Sequence, residues 1–177
     1  METSRTDIAP AIAGIGEAEL GAFVREQYPR LIRLAGLICR EPSDAADAVQ
    51  VALEQAWRRR ETLRDPAALK GWLDRIVVRE AVRASKPRGL AALPLFGGPR
   101  EIAVDPADPR ARHEEDTAMR IAFDGLGADQ RAALVLHLYA GYTVEQTARI
   151  VDAPVETVRA RIRRGRERLR ALLGDGR

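Results

Sequence analysis

The hydrophobic positions of this chain recur every three or four residues, which is the period of an amphipathic α-helix. In the first half, such stripes predict helices that begin near Glu17, at Ser43 and at Asp65-Pro66. Ser43 is a candidate N-cap, and Asp65-Pro66 joins a cap to a proline at the first helical position. No comparable alternation typical of a β-strand occurs along the sequence. The pattern therefore predicts an all-α fold.

Each of these three helices has one apolar face, and together the faces can share a core. We assign Trp57 of the second helix and Trp72 of the third to that core. Cys39 is the single cysteine and lies on the apolar face of the first helix. We therefore expect a buried thiol, and a lone cysteine excludes an intramolecular disulfide.

Residues 140–170 predict a short helix, a turn and a long arginine-rich helix. Thr143 is followed three residues later by Gln146, which is the spacing of a capping box. Asp152-Ala153-Pro154 interrupts the apolar period, because proline cannot donate a hydrogen bond inside a helix but fits the first turn of the next one. This arrangement is typical of a helix-turn-helix, whose second helix enters the major groove of DNA.

The second helix of this pair carries the candidate DNA contacts. Residues near its start would reach base edges, and the remaining arginines would bind phosphates. The candidate base contacts are Glu156, Thr157, Arg159, Ala160 and Arg163, and the candidate phosphate contacts are Arg161, Arg164 and Arg166. An arginine-rich helix alone could equally be a solvated face. The capped helix and turn that precede it favour DNA binding.

Charge is distributed unevenly along the 177 residues, although 29 Lys and Arg against 26 Asp and Glu give a net charge of only +3. Two basic segments, 58–88 and 159–170, flank an acidic one at 101–116. On the third helix, Arg75, Arg79 and Arg83 are spaced by four residues and form a row, which Lys86 extends. Such a row can follow a phosphate backbone, or it can simply be solvated.

Other kinds of site have no support in the sequence. His113 and His137 are far apart and have no cysteine or paired carboxylate at ligand spacing. We find no phosphate-binding glycine loop and no nucleophile with a base, so we predict no catalytic residue, no metal, no cofactor and no enzymatic activity. The chain lacks an apolar run of membrane-spanning length and a signal peptide, so we expect a cytoplasmic protein that does not insert into a membrane.

The composition divides the chain into two small helical domains. We predict a flexible tail at 1–16, a first domain at 17–86, a linker at 87–113 and a second domain at 114–174. The linker is rich in proline and glycine and has no hydrophobic period. Its apolar residues near 90–96 indicate that part of it docks on a partner.

Several segments resemble a known family. YPRLIRLA at 28–35, DAADAVQ at 44–50 and GWLDRI at 71–76 are similar to region 2 of bacterial RNA polymerase sigma factors of the extracytoplasmic-function (ECF) group. The segment 126–170, with Thr-Val-Arg at 157–159 and Arg-Glu-Arg-Leu at 166–169, resembles region 4. Two blocks in the same order and at the same separation make the resemblance specific.

The resemblance implies partners and roles. Region 2 docks on the clamp of the largest polymerase subunit through the helix matching 44–57, and it opens the promoter at the −10 element with the helix matching 69–86. Asp44, Asp47 and Gln50 would then contact the clamp, and Arg75, Arg79, Arg83 and Lys86 would contact −10 DNA. Region 4 reads the −35 element and grips the flap of the second-largest subunit. The family also implies an anti-sigma factor.

The chain departs from the family at four positions. The family usually has acidic residues where Ala46 and Val51 stand, and it commonly has Asn and Asp in place of Arg79 and Arg83. Two added arginines would strengthen phosphate binding and remove a base-reading amide, so the −10 specificity is open. The acidic residues of the second helix could instead only complement the helix dipole. The alternative function is a stand-alone helix-turn-helix regulator with degenerate polymerase docking.

Overall fold

The computed structural model describes residues 14–86 and 119–173. We call these the N-terminal and the C-terminal block. The described residues are helical and contain no β-strand, so the predicted all-α class is confirmed. The predicted linker, most of the predicted tail and His113 lie outside the described residues.

The N-terminal block consists of three long helices and two short 3₁₀ turns. The helices are α1 (Glu17–Ile38), α2 (Pro42–Arg59) and α3 (Leu69–Ala84), and the turns are Arg60–Thr62 and Pro66–Ala68. The C-terminal block consists of helical residues 119–124 (α4), α5 (Ala128–Leu134), α6 (Val144–Val151) and α7 (Val155–Leu173). A π-helical turn, Val135–Tyr139, continues α5.

Two predicted helix starts differ from the observed ones. The prediction that Ser43 caps the second helix was wrong. Helix α2 begins at Pro42, and its N-cap residue, Glu41, makes no side-chain capping hydrogen bond. Proline already has the dihedral angle of a first helical residue, so it sets the start without a side-chain acceptor. Asp65 does cap, since its carboxylate accepts a hydrogen bond of 2.9 Å from the backbone N–H of Ala67. It caps the 3₁₀ turn, and α3 follows.

The core of the N-terminal block is formed by the predicted apolar faces. Cys39 is 5% exposed, as predicted, and burial raises the pKa of its thiol. Trp72 is partly buried against the core. The assignment of Trp57 to the core was wrong: its side chain is 40% exposed, and the Arg60 guanidinium lies 5.0 Å from the centre of its ring. An indole at a helix end can be covered by a neighbouring cation, which a periodic pattern does not reveal.

The described end of the predicted tail is part of the fold. Ile15 is 3% exposed and packs with Leu20, Leu63 and Leu69 in a small apolar cluster. A single apolar residue before a helix has no period, so the sequence pattern did not distinguish it from a solvated tail.

The two blocks pack against each other. Leu136 of the π-helical turn and Ile150 of α6 belong to the same buried cluster as Leu31 of α1 and Val77 of α3. Helix α3 therefore has the other N-terminal helices on one side and the C-terminal block on another. The helical periodicity does not predict this packing, because it describes one helix at a time.

Candidate nucleic-acid interface

The turn between α6 and α7 is built as the sequence predicts. Thr143 Oγ1 accepts a 3.1 Å hydrogen bond from the Gln146 N–H, and Gln146 Oε1 accepts a 2.8 Å bond from the Thr143 N–H. Asp152 ends α6 in the left-handed conformation, with φ 55° and ψ 54°. Aspartate and asparagine tolerate this conformation better than most residues, because their short side chains can bond locally. Both ends of α6 are thus fixed by local chemistry.

Helix α7 is held against α5 along one narrow face. Val158 and Ile162 are 0% and 6% exposed. One turn later, Gly165 lies so close to α5 that a Cβ atom there would be 2.6 Å from Leu134 Cδ1. A glycine at this position lets the two helices approach closely. The opposite face of α7 is left free for the arginines.

Most of the predicted DNA contacts lie on that open face. Six of the eight are exposed: Glu156, Thr157, Arg159, Arg163, Arg164 and Arg166. Ala160 is half-buried. Arg161 has a side-chain exposure of 25% and points back to Asp129 of α5 at 3.7 Å. The start of α7 and its exposed arginines, Arg159, Arg163, Arg164 and Arg166, are therefore open to solvent.

Arg159, the first of these exposed arginines, is held by two carboxylates. It pairs with Glu156 on its own helix and lies 3.5 Å from Glu145 on α6. A backbone hydrogen bond, and then a bond from the Thr143 side chain, lower the pKa of Glu145. These contacts orient the exposed Arg159 guanidinium. Both carboxylates are exposed to solvent, so a DNA phosphate or a base edge can take their place on Arg159.

The arginine row of α3 is divided between two environments. Arg79 lies 2.6 Å from the Asp152 carboxylate in the helix-turn-helix turn, and Arg75 lies 3.8 Å from the other oxygen of the same carboxylate. Arg83 instead leans toward Glu80 at 3.6 Å, and Lys86 is exposed. Two of the four predicted −10 contacts thus face the other block of the same chain.

The predicted clamp contacts lie on α2. Asp47 and Gln50 are exposed and Asp44 is half-buried, while the opposite face of α2, with Ala48 and Val49, is buried. The three polar side chains are therefore positioned on the solvent side of the N-terminal block.

A buried carboxylate that the sequence analysis missed lies between the two blocks. Asp74 is 0% exposed and accepts hydrogen bonds from both terminal nitrogens of Arg30, at 3.0 and 2.5 Å, and from Lys70, at 3.3 Å. The Tyr142 hydroxyl of the C-terminal block donates to the same carboxylate at 2.6 Å. Burial, and then this hydrogen bond, raise the pKa of Tyr142. A sequence signal existed, since Asp74 shares a helical stripe with Val78 and Ala81, both buried.

A second missed residue, Arg131, also joins the blocks. Its side chain is among the most buried in the described chain, and burial lowers its pKa. It donates to the carbonyl oxygen of Ile38, at the end of α1, and to that of Leu126, both at 2.7 Å. Arg40 of the N-terminal block donates a hydrogen bond of 3.0 Å to the Asp124 carbonyl oxygen of the C-terminal block. The end of α1 is therefore capped by the C-terminal block.

Other sites are not apparent in the described residues. Residues 14–86 and 119–173 contain no group of three or more His, Cys, Asp or Glu side chains that could hold a metal ion. Within the same ranges, no helix is long and apolar enough to cross a membrane. His137 has a structural contact, since its Nδ1 atom lies 2.8 Å from the Tyr142 carbonyl oxygen.

Comparison with known proteins identifies both blocks. Residues 23–89 match the family model for Sigma-70 region 2, and residues 119–169 match that for Sigma-70 region 4. The chain is 37% identical to the ECF RNA polymerase sigma factor SigM of Mycobacterium tuberculosis over 173 residues, which cover 98% of this chain and 86% of SigM. It is 26% identical to the RNA polymerase sigma-E factor of Streptomyces coelicolor, over 88% of this chain and 86% of that factor.

A solved structure agrees with these matches. The sigma factor RpoE of Bartonella quintana, determined in complex with the anti-sigma factor NepR, superposes with a TM-score of 0.65 and 28% identity, covering 88% of this chain and 99% of RpoE. The region matches, the SigM relationship and this shared structure lead to one conclusion. The chain belongs to the extracytoplasmic-function group of RNA polymerase sigma factors.

Proposed function

We propose that this sigma factor binds core RNA polymerase, directs it to promoters with −35 and −10 elements, and helps to separate the DNA strands at the start site. The observation that carries DNA recognition is the exposed arginine face of α7, presented by a capped helix-turn-helix. The region 2 and region 4 matches, in that order along the chain, support polymerase binding. The alternative, a stand-alone regulator, has no observation that favours it.

The −35 element is read by the start of α7. Arg159 and Arg163 reach base edges in the major groove, together with Glu156, Thr157 and Ala160, because the first turns of a recognition helix lie deepest in the groove. The remaining contacts, Arg161, Arg164 and Arg166, bind phosphates and set the register. The exposure of six of these eight residues supports the assignment.

The −10 element is bound by α3 through its arginine row and Lys86. Cations spaced by one helical turn can follow a single strand as it separates. The missing asparagine at position 79 implies that phosphate contacts contribute more here than base reading. Arg75 and Arg79 must leave Asp152 to make these contacts.

Polymerase is bound at two places. The outer face of α2, with Asp44, Asp47 and Gln50, contacts the clamp of the largest subunit, and the C-terminal block grips the flap of the second-largest subunit. The family matches at 23–89 and 119–169 support domains at 17–86 and 114–174, with 87–113 as the linker. Because Ile15 packs against the first domain, the tail predicted at 1–16 ends before this residue. An anti-sigma factor is a further partner, supported by the likeness to RpoE, which was solved with one.

This function involves no covalent chemistry, so we propose that the protein is not an enzyme and uses no cofactor. It would act in the cytoplasm, where core polymerase and the chromosome are found.

The test combines a pull-down of core polymerase with run-off transcription. We expect the full chain to form a holoenzyme and to yield transcripts from a promoter of an ECF factor. Asp47→Arg should weaken holoenzyme formation and leave duplex binding unchanged, whereas Glu26→Arg, an equal charge reversal at an exposed position of α1, should affect neither. Duplex binding without a holoenzyme would support the stand-alone regulator instead. The absence of both would refute the proposal.

A further inference from the structure

The arrangement of the two blocks cannot be the one that reads a promoter. The −35 and −10 elements are centred about 25 base pairs apart, which is about 85 Å of duplex at 3.4 Å per base pair. In this structure the α3 row touches the helix-turn-helix directly, through the 2.6 Å contact of Arg79 with Asp152. Helix α7 has 19 residues and spans only about 28 Å. The two blocks must separate before both elements can be bound.

The closed arrangement is a specific one. Ile150 and Leu136 are buried in the core that also contains α1 and α3. The Tyr142 hydroxyl reaches the buried Asp74 at 2.6 Å, and Arg131 reaches the Ile38 carbonyl at 2.7 Å. Apolar burial combined with directional hydrogen bonds fixes one relative orientation of the blocks.

The ion pairs at the edge of this interface involve DNA-binding candidates. Arg79 and Arg75 share the single carboxylate of Asp152, and all three side chains are partly exposed, at 45%, 43% and 70%. A carboxylate and a phosphate offer the guanidinium the same kind of oxygen acceptor. An arginine bound to Asp152 is therefore withheld from the DNA backbone.

We propose that Asp152 competes with promoter DNA for Arg75 and Arg79, so that the closed chain holds its own −10-binding helix inactive until the blocks separate. The inference rests on the proposed function, because it takes the α3 row as a DNA contact. It adds that the helix-turn-helix turn has a second role, as an intramolecular substitute for the phosphate backbone. The affinity for DNA then depends on the fraction of open chains.

Asp152 can be tested with two variants that suit its left-handed backbone. Asp152→Asn keeps the shape of the side chain and Asp152→Gly removes it, and both residues accept a φ of 55°. The probe is a fluorescent single-stranded DNA of mixed sequence and about 12 nucleotides, a length that suits a single-strand groove and offers no duplex major groove to α7. Exposed ion pairs shift an equilibrium by about two- to fivefold. We expect each variant to bind the probe more tightly by that factor.

The decisive comparison repeats the measurement in an Arg75→Ala, Arg79→Ala background, where the gain from Asp152→Asn should vanish. Asp129→Asn is the matched control, because it removes the same charge from the same block but its partner is Arg161 of α7. Its effect should be equal in both backgrounds. Circular dichroism checks that each variant is folded.

An equal effect of Asp152→Asn in both backgrounds would mean that only overall charge matters, and it would overturn the proposal. So would folded Asp152 variants with wild-type affinity for the probe. Run-off transcription with wild-type protein separates this result from a failure of the proposed function: transcripts without an Asp152 effect refute the competition alone.

Discussion

Gly165→Ala tests how closely α7 is packed against α5. A glycine in a helix interior normally costs about 1 kcal/mol relative to alanine, so the substitution should stabilise an isolated helix. Here the new methyl group would lie 2.6 Å from Leu134 Cδ1 and 3.1 Å from its Cγ. Leu134 is 1% exposed, so its side chain has little room to move away. Overpacking of this kind costs about 1–3 kcal/mol.

The two effects oppose each other, and the larger one decides the sign. Subtracting the gain in helix propensity from the cost of overpacking leaves a net loss in the free energy of unfolding of about 0–2 kcal/mol for Gly165→Ala. Gly36 of α1 is a matched control, because nothing lies within 4 Å of a Cβ built there. Gly36→Ala should gain up to about 1 kcal/mol. The two variants should therefore differ by about 1–3 kcal/mol in the free energy of unfolding.

Urea unfolding of the full chain measures this difference, and duplex binding shows whether α7 has moved. We expect Gly165→Ala to weaken binding to duplex DNA and Gly36→Ala to leave it unchanged. In a Leu134→Ala background, the space for the methyl group is available, and Gly165→Ala should become neutral or stabilising. Equal stabilisation by both glycine substitutions in the wild-type background would show that α7 is not pressed against Leu134.

Three further predictions concern the hydrogen bonds and charges of the C-terminal block. Thr143→Ala should lower the free energy of unfolding by about 1 kcal/mol, measured in urea, whereas Thr143→Ser should change it little. Tyr142→Phe should cost about 1–2 kcal/mol at pH 8, because Asp74 loses a donor. The raised pKa of Tyr142 stabilises the fold fully below the unfolded pKa of about 10, and this stabilisation is lost as pH rises above it. The cost of Tyr142→Phe should therefore shrink above about pH 10, and a constant cost would contradict this hydrogen bond. Arg159→Ala should weaken promoter binding and relax its sequence preference, whereas Arg166→Ala should weaken all duplexes evenly and flatten the salt slope by about one unit. Identical effects of the two arginine variants would contradict the separate roles.

The parts of the structure that the sequence predicted are those decided within one or two helical turns. The capping box of α6 depends on two residues three positions apart, Thr143 and Gln146, and both bonds are present. The buried face of α7 follows from the spacing of Val158 and Ile162, which also determines which arginines are exposed. Such features depend on local geometry, so a single sequence is sufficient to find them.

The contacts between the two blocks, which the sequence did not predict, join residues that are far apart along the chain. Asp74 and Tyr142 are separated by 68 positions, and Arg131 and Ile38 by 93. A helical period shows that a face of α3 is buried but does not show what buries it. The second stripe of α3, Asp74 with Val78 and Ala81, indicates a helix covered on two sides. A charged residue on such a stripe is a sign of a polar contact with a second unit.

The polar contacts between the blocks are arranged so that separation leaves few groups without a partner. Asp74 keeps Arg30 and Lys70, which belong to its own block. Arg131 keeps the Leu126 carbonyl. The carbonyl at the end of α1 would be exposed to water, which replaces the lost donor at little net cost. These bonds therefore determine the orientation of the closed state more than its stability.

The apolar part of the interface has no such compensation. Leu136 and Ile150 lose their cover when the blocks separate, and exposing an aliphatic side chain of this size costs about 1.5–3 kcal/mol. DNA can compete for Arg75 and Arg79, but its polar backbone cannot bury these side chains. A protein surface can, so polymerase should open the chain more effectively than DNA alone. The single-stranded probe should therefore bind the holoenzyme more tightly than the free factor, by more than the two- to fivefold change in affinity expected from the Asp152 ion pairs. Equal affinities would show that the apolar contacts do not restrain the free chain.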